Sequence, residues 1–76
     1  METAKFLDAK GLACPMPIVR TKKAMNDLEA GEVLEVHATD KGFVSDISAW
    51  SKSGGHELLK NEVDNGVFKF WVKKGE

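Results

Sequence analysis

Both prolines of this chain lie within three residues of its one cysteine, in the run Gly11-Leu12-Ala13-Cys14-Pro15-Met16-Pro17. Gly11 marks a turn. A proline at the first helical position loses nothing, because the amide there has no intrahelical partner. Pro15 is therefore expected to start a helix, with Pro17 still inside its first turn. That places Cys14 at or just before a helix N-terminus, where the local field favours thiolate over thiol. Any covalent chemistry is expected here. The plainer role for a lone cysteine is that of a small buried hydrophobe.

Around this run the hydrophobic pattern sets the element order. Lys5 to Leu7 is a short strand, and Asp8-Ala9-Lys10-Gly11 leads out of it, with Asp8 placed to accept backbone hydrogen bonds in the loop. The first helix is expected over Pro15 to Leu28. Ile18, Met25 and Leu28 share a side, with Thr21 or Lys22 between them, and Val19 and Ala24 widen the stripe. Ala30-Gly31 stops it. A second strand runs from Glu32 to Ala38, with Leu34, Val36 and Ala38 on one face and Val33, Glu35 and His37 on the other. His37 reads as an open-face or rim residue. Thr39 to Gly42 is a loop in which Asp40 or Ser45 is placed to cap a second helix, Phe43 or Val44 to Lys52. Ser53-Gly54-Gly55 ends that helix, and Trp50 belongs to its core side. His56 to Val63 is a third strand. Asn65-Gly66 is a hairpin turn, and Val67 to Lys73 is a fourth strand sending Phe68, Phe70 and Val72 inward and Trp71 to the open face. The fold class that follows is α/β: a two-layer sandwich of order βαβαββ, a four-stranded mixed sheet with two helices on one face, forming a single domain over residues 1–76.

Composition narrows the classes of function. The chain has 76 residues, 42% hydrophobic and 30% charged, which suits a folded domain with net stability of roughly 3–5 kcal/mol. One cysteine forms no intrachain disulfide. The formal net charge of -1 argues against coating nucleic acid as the main task. No apolar stretch reaches membrane-spanning length, and the first residues lack a signal-peptide core, so a cytoplasmic location is expected. Cys14, His37 and His56 have no metal-ligand spacing, so no metal is expected.

The cysteine run resembles the Cys-Pro-x-Pro signature of the TusA/SirA-like sulfur-carrier family. Asp8 fits the acidic residue before the Gly-Leu pair, and Asp46-Ile47-x-x-Trp50 and Gly55-His56-Glu57-Leu58 also resemble that family, so the likeness covers about residues 4–73. One departure is Lys41, where many relatives carry proline after the aspartate. The resemblance implies that Cys14 accepts sulfur and becomes a persulfide, that Pro15 and Pro17 shape its loop, and that Asp8, Gly11 and Leu12 support the motif. His56 matches a recurring position without assigned chemistry.

The function so implied is relay of persulfide sulfur from a donor protein, such as a cysteine desulfurase or rhodanese-like enzyme, to an acceptor protein, for tRNA thiolation or another sulfur pathway. It needs a thiolate and access but no cofactor, metal, stable nucleic-acid partner or membrane, and it suits a monomer. Lys10 is placed to assist from the loop. The lack of a second cysteine leaves no resolving thiol for an intramolecular disulfide cycle. Two other readings remain: a thiol-based redox-sensing module, and a nucleic-acid interaction domain built on Lys69, Trp71, Lys73 and Lys74.

Overall fold

The computed structural model describes residues 3–13 and 15–75. Its elements are β1 (Lys5–Ala9), α1 (Met16–Asn26), β2 (Val33–Ala38), α2 (Gly42–Ser53), β3 (Glu57–Asp64) and β4 (Val67–Lys73). The strands form one mixed sheet in the order β1-β2-β4-β3. β1 runs parallel to β2, while β4 is antiparallel to both β2 and β3. Both helices cover the same face, giving the expected βαβαββ sandwich.

The alternation in the strands explains which face is covered. Leu34, Val36 and Ala38 of β2, Phe70 and Val72 of β4, and Ala9 of β1 are all buried. They pack with Ala24, Met25 and Leu28 from the first helical segment and Phe43 and Ile47 from α2. Phe68 and Trp50 pack against the same core from its edge. Phe43 and Phe70 meet edge to face, with ring centroids 5.5 Å apart, a geometry that adds to the area they bury. The other sheet face is open. There Phe6 meets the His37 ring edge-on at 4.7 Å, His37 Nε2 lies 2.6 Å from Glu35 Oε2, and the Lys60 ammonium sits 5.5 Å above the Trp71 ring.

Several expected boundaries move. β1 continues to Ala9, because Asp8 and Ala9 still pair with His37 and Ala38. α1 begins at Met16 with Pro15 as its N-cap, and ends at Asn26 rather than Leu28. Leu28 stays buried beyond the helix end. Val19 does not widen the buried stripe and is 46% exposed. At about 100° per residue it lies opposite the Pro17, Thr21, Ala24, Met25 line that faces the sheet. Thr21 takes the central position, and its hydroxyl is satisfied by donating to the Pro17 carbonyl at 2.8 Å. α2 starts at Gly42 without a side-chain cap from Asp40 or Ser45. The Phe43 amide donates instead to the Asp40 backbone carbonyl at 3.1 Å. β2 starts one residue later than expected, and β3 is shifted by one residue to Glu57–Asp64. The hairpin is as read: Asn65 and Gly66 both have positive φ, 50° and 80°, as the tight turn that matches strand twist requires.

His56 holds the end of the chain. The Gly75 amide donates to His56 Nδ1 at 2.9 Å, and Trp50 packs against the ring at 4.8 Å. Burial, and then the charge of Lys74, push the imidazole below its ordinary value of 6.5. The unfolded chain therefore binds a proton more readily at this site than the folded one, so the contribution of His56 is full above pH 6.5 and declines as acidification passes that value. Urea midpoints measured from about pH 7.5 down to about 5 should fall more steeply for the native chain than for His56→Gln. Core truncation should act at every pH: Ile47→Ala is expected to cost about 2–5 kcal/mol. That is most of the net stability of so small a domain, and it should be visible as a large loss of urea midpoint.

Candidate functional site

Parallel pairing ends β1 and β2 side by side, at Ala9 and Ala38. The loops that follow them, beginning with residues 10–13 and 39–41, therefore emerge from the same end of the sheet, the usual place for a site in strand-helix-strand units. A side-chain clip joins the two loops. The Gly11 amide donates to Thr39 Oγ1 at 3.0 Å. Gly11 has φ +81°, a conformation that side-chain-bearing residues rarely adopt. A Cβ there would meet nothing within 4 Å, so the demand for glycine comes from the backbone and not from crowding.

The rest of the loop is held by local bonds. Asp8 Oδ1 accepts from the Lys10 amide at 3.1 Å, and the Leu12 amide donates to the Ala9 carbonyl at 3.3 Å. Leu12 packs its side chain against the core and so anchors the loop from below. The Met16 amide donates to the Ala13 carbonyl at 2.9 Å. The Val19 amide then donates to the Pro15 carbonyl at 3.1 Å. Pro15 is exposed at the cap, whereas Pro17 is buried in the first turn. Neither proline has an amide to leave unpaired.

Asp8, Gly11, Leu12, Pro15 and Pro17 thus lie on one continuous segment, with Thr39 joined to it from the neighbouring loop. Cys14 lies outside the described residues; its chain neighbours Ala13 and Pro15 are both exposed. Thr39 is the contributor that sequence reading missed. The signal available for it was indirect: a threonine just after the strand that runs parallel to β1. Asp40, in the same loop, has one carboxylate oxygen, Oδ2, buried without a hydrogen-bond partner among the described residues. A Cβ on Gly42 would stand 3.2 Å from that oxygen.

Neither histidine lies on the β1–α1 loop, although His37 pairs with Asp8 at its root. His37 projects on the open face beside Glu35 and Phe6. His56 precedes Glu57, which pairs with Lys73, and Lys73 pairs with Val33 at the start of β2. It therefore sits at the opposite end of the sheet from Ala9 and Ala38, a strand length of roughly 16 Å away. Among the described residues no cluster of His, Asp or Glu could hold a metal ion. A groove of about 720 Å³ runs between α2 and β3, lined by Val44, Ser48, Lys52, His56 and Leu58, and none of its lining residues belongs to the β1–α1 loop. On the open face Lys60 pairs with Glu62 at 2.9 Å and Lys69 with Asp64 at 3.6 Å, which offsets the positive charge around Trp71. No described helix is long and apolar enough to cross a membrane.

Comparisons with known proteins agree with this geometry. The family model described as sulfurtransferase TusA matches residues 5–74. The chain is 67% identical over 75 residues to the putative sulfur carrier protein YrkI of Bacillus subtilis, covering 99% of this chain and 100% of that protein. It is 48% identical over 68 residues to the sulfur carrier protein TusA of Allochromatium vinosum, covering 90% of each. The crystal structure of a SirA-like protein from Desulfitobacterium hafniense superposes with a TM-score of 0.82 at 32% identity, covering 95% of this chain and 99% of that one. Fold and sequence coincide along nearly the whole length, and the chain belongs to the TusA family of sulfurtransferases, whose general role is to carry sulfur.

Proposed function

We propose that Cys14 is the carrying residue and that it takes its sulfur from a donor protein's cysteine persulfide. The observation that supports this most strongly is the setting on either side of position 14: the Gly11 amide is clipped to Thr39, the Met16 amide is bonded to the Ala13 carbonyl, and α1 begins over Pro15 to Pro17. Ala13 and Pro15, on either side of position 14, are both exposed and leave room for a partner.

The transfer conserves electrons. The Cys14 thiolate attacks the outer sulfur of the donor persulfide. A new sulfur–sulfur bond forms at Cys14, the donor's own sulfur–sulfur bond breaks, and the donor cysteine departs as a thiolate. The second handoff repeats the step with Cys14 as the leaving group. Because the outer sulfur moves with its oxidation state unchanged, the step uses no external oxidant or reductant. A cysteine desulfurase or a rhodanese-like enzyme has the right chemistry for the donor. The acceptor is a protein that consumes sulfane sulfur, with tRNA thiolation among the pathways of that kind.

Intact mass after incubation with a cysteine desulfurase and cysteine should show one added sulfur, removed by reductant and absent in Cys14→Ser. Persistent loading of Cys14→Ser, or no loading of the native chain by desulfurase and rhodanese-type donors alike, would contradict the assignment. Gly11→Val should slow loading without abolishing it, because it disturbs the turn but leaves the thiol in place.

A further inference from the structure

β3 is an edge of the sheet, hydrogen-bonded to β4 alone. Of its residues, Glu57 to Asp64, only Leu58 is shielded, packing against the core. Leu59 and Val63 are 36% and 69% exposed, two of the five large apolar side chains left in solvent among the described residues. A strand edge left this open is a template for another strand, and natural sheets guard such edges with charge. The charges on β3 are arranged in another way. Lys60 pairs across the sheet with Trp71, and Glu62 with Lys69, so both stand on the open face, one residue on either side of Asn61. Asn61 and Val63 pair with Phe70 and Phe68 and so face the helix layer. Leu59 and Val63 lie two residues on either side of Asn61. The stretch from Leu59 to Val63 therefore has apolar ends and charges of opposite sign placed symmetrically about its centre.

We propose that β3 pairs antiparallel with β3 of a second copy of this chain, about a two-fold axis at Asn61. In that register Asn61 lies opposite itself. Lys60 of each copy lies opposite Glu62 of the other, and Leu59 of each opposite Val63 of the other. Opposite charges directly across an antiparallel pair stabilise it, and like charges destabilise it. Lys60 and Glu62 already meet within one chain at 2.9 Å, so the contact closes an alternating cluster of four charges. A parallel pair in register would set Lys60 against Lys60 and Glu62 against Glu62, so the charges select the antiparallel arrangement. The contact uses the same patch on both copies and therefore closes at two. A ladder this short is a small interface, so the dimer is weak and forms as concentration rises. The expectation of a monomer is revised accordingly. β1 is the other edge of each sheet, so the loops that follow Ala9 lie away from the contact and stay open to partner proteins in the dimer. The proposal does not depend on the carrier reading.

The test is sedimentation equilibrium of the native chain, Lys60→Glu, Glu62→Lys and an equimolar mixture of those two variants. Reductant is present throughout, so that no disulfide through Cys14 links two copies, and folding is verified by circular dichroism. The native chain should pass from monomer towards dimer as concentration rises to about 1 mM. Each variant alone sets like charges opposite one another at both symmetric positions and should dimerise about tenfold more weakly or worse. The mixture pairs a strand bearing two anions with a strand bearing two cations. It should dimerise at least as strongly as the native chain, a rescue that a variant damaged in its own fold would not give. A native chain that stays monomeric to about 1 mM, variants that dimerise as well as the native chain, or a mixture no tighter than either variant alone would overturn the proposal.

Discussion

The parallel pairing of β1 with β2 is the constraint on which the rest of this structure depends. It fixes Ala9 beside Ala38 and so delivers two strand-to-helix loops to one end of the sheet. Without that register Thr39 would not meet the Gly11 amide, and the loop carrying Cys14 would have only its own short-range bonds to hold it. The crossover through α1 that parallel pairing demands also places the helix directly after the cysteine. Fold and candidate site are therefore one arrangement: the connection that lets β1 and β2 pair is the segment that bears Cys14, the residue proposed to carry sulfur.

The two ends of the sheet divide the work. The end at Ala9 and Ala38 holds the cysteine loop and the apolar first turn of α1. The end at Val33 and Lys73 is devoted to closure. There Gly31 donates to the Lys74 carbonyl, the Lys74 amide to Glu32, and the Lys74 ammonium to the Leu28 carbonyl, while His56 receives the Gly75 amide. His56 is thus accounted for as a structural residue that secures the C-terminal strand, a full strand length from Ala9 and Ala38. In a domain with so little stability to spare, such a latch is consequential even though each bond in it is worth only about 1 kcal/mol.

β2, β4 and α2 were legible in the sequence because each carries an undivided pattern: alternation in Leu34, Val36, Ala38 and in Phe68, Phe70, Val72, and helical spacing in Phe43, Ile47, Trp50. β3 has an imperfect pattern, and the structure gives it a register shift between Leu58 and Lys60. What was not legible followed from partners distant in sequence. Asp8 and Ala9 read as loop until β2 lies beside them. Val19 read as core because an apolar residue next to the stripe looks like part of it, whereas the helix rotation is set by the sheet and gives the central position to Thr21. The cap expected from Asp40 or Ser45 was local reasoning at a helix end satisfied by backbone bonds instead. In the site, Gly11 and the two prolines were readable from their own stereochemistry. Thr39 was not, since its role exists only through a contact 28 residues away.

The central claim, that this chain passes sulfur between proteins through Cys14, is tested most directly by following the sulfur itself. Radiolabelled cysteine would be supplied to a desulfurase, the carrier added in stoichiometric amount, and the charged carrier separated and mixed with an acceptor protein. The account predicts that label leaves the desulfurase, resides on Cys14 as a reductant-labile adduct, and then appears on the acceptor, with no such passage through Cys14→Ser. Label that reaches the acceptor equally well with Cys14→Ser, or that loads Cys14 and cannot leave it for any acceptor, would contradict the account.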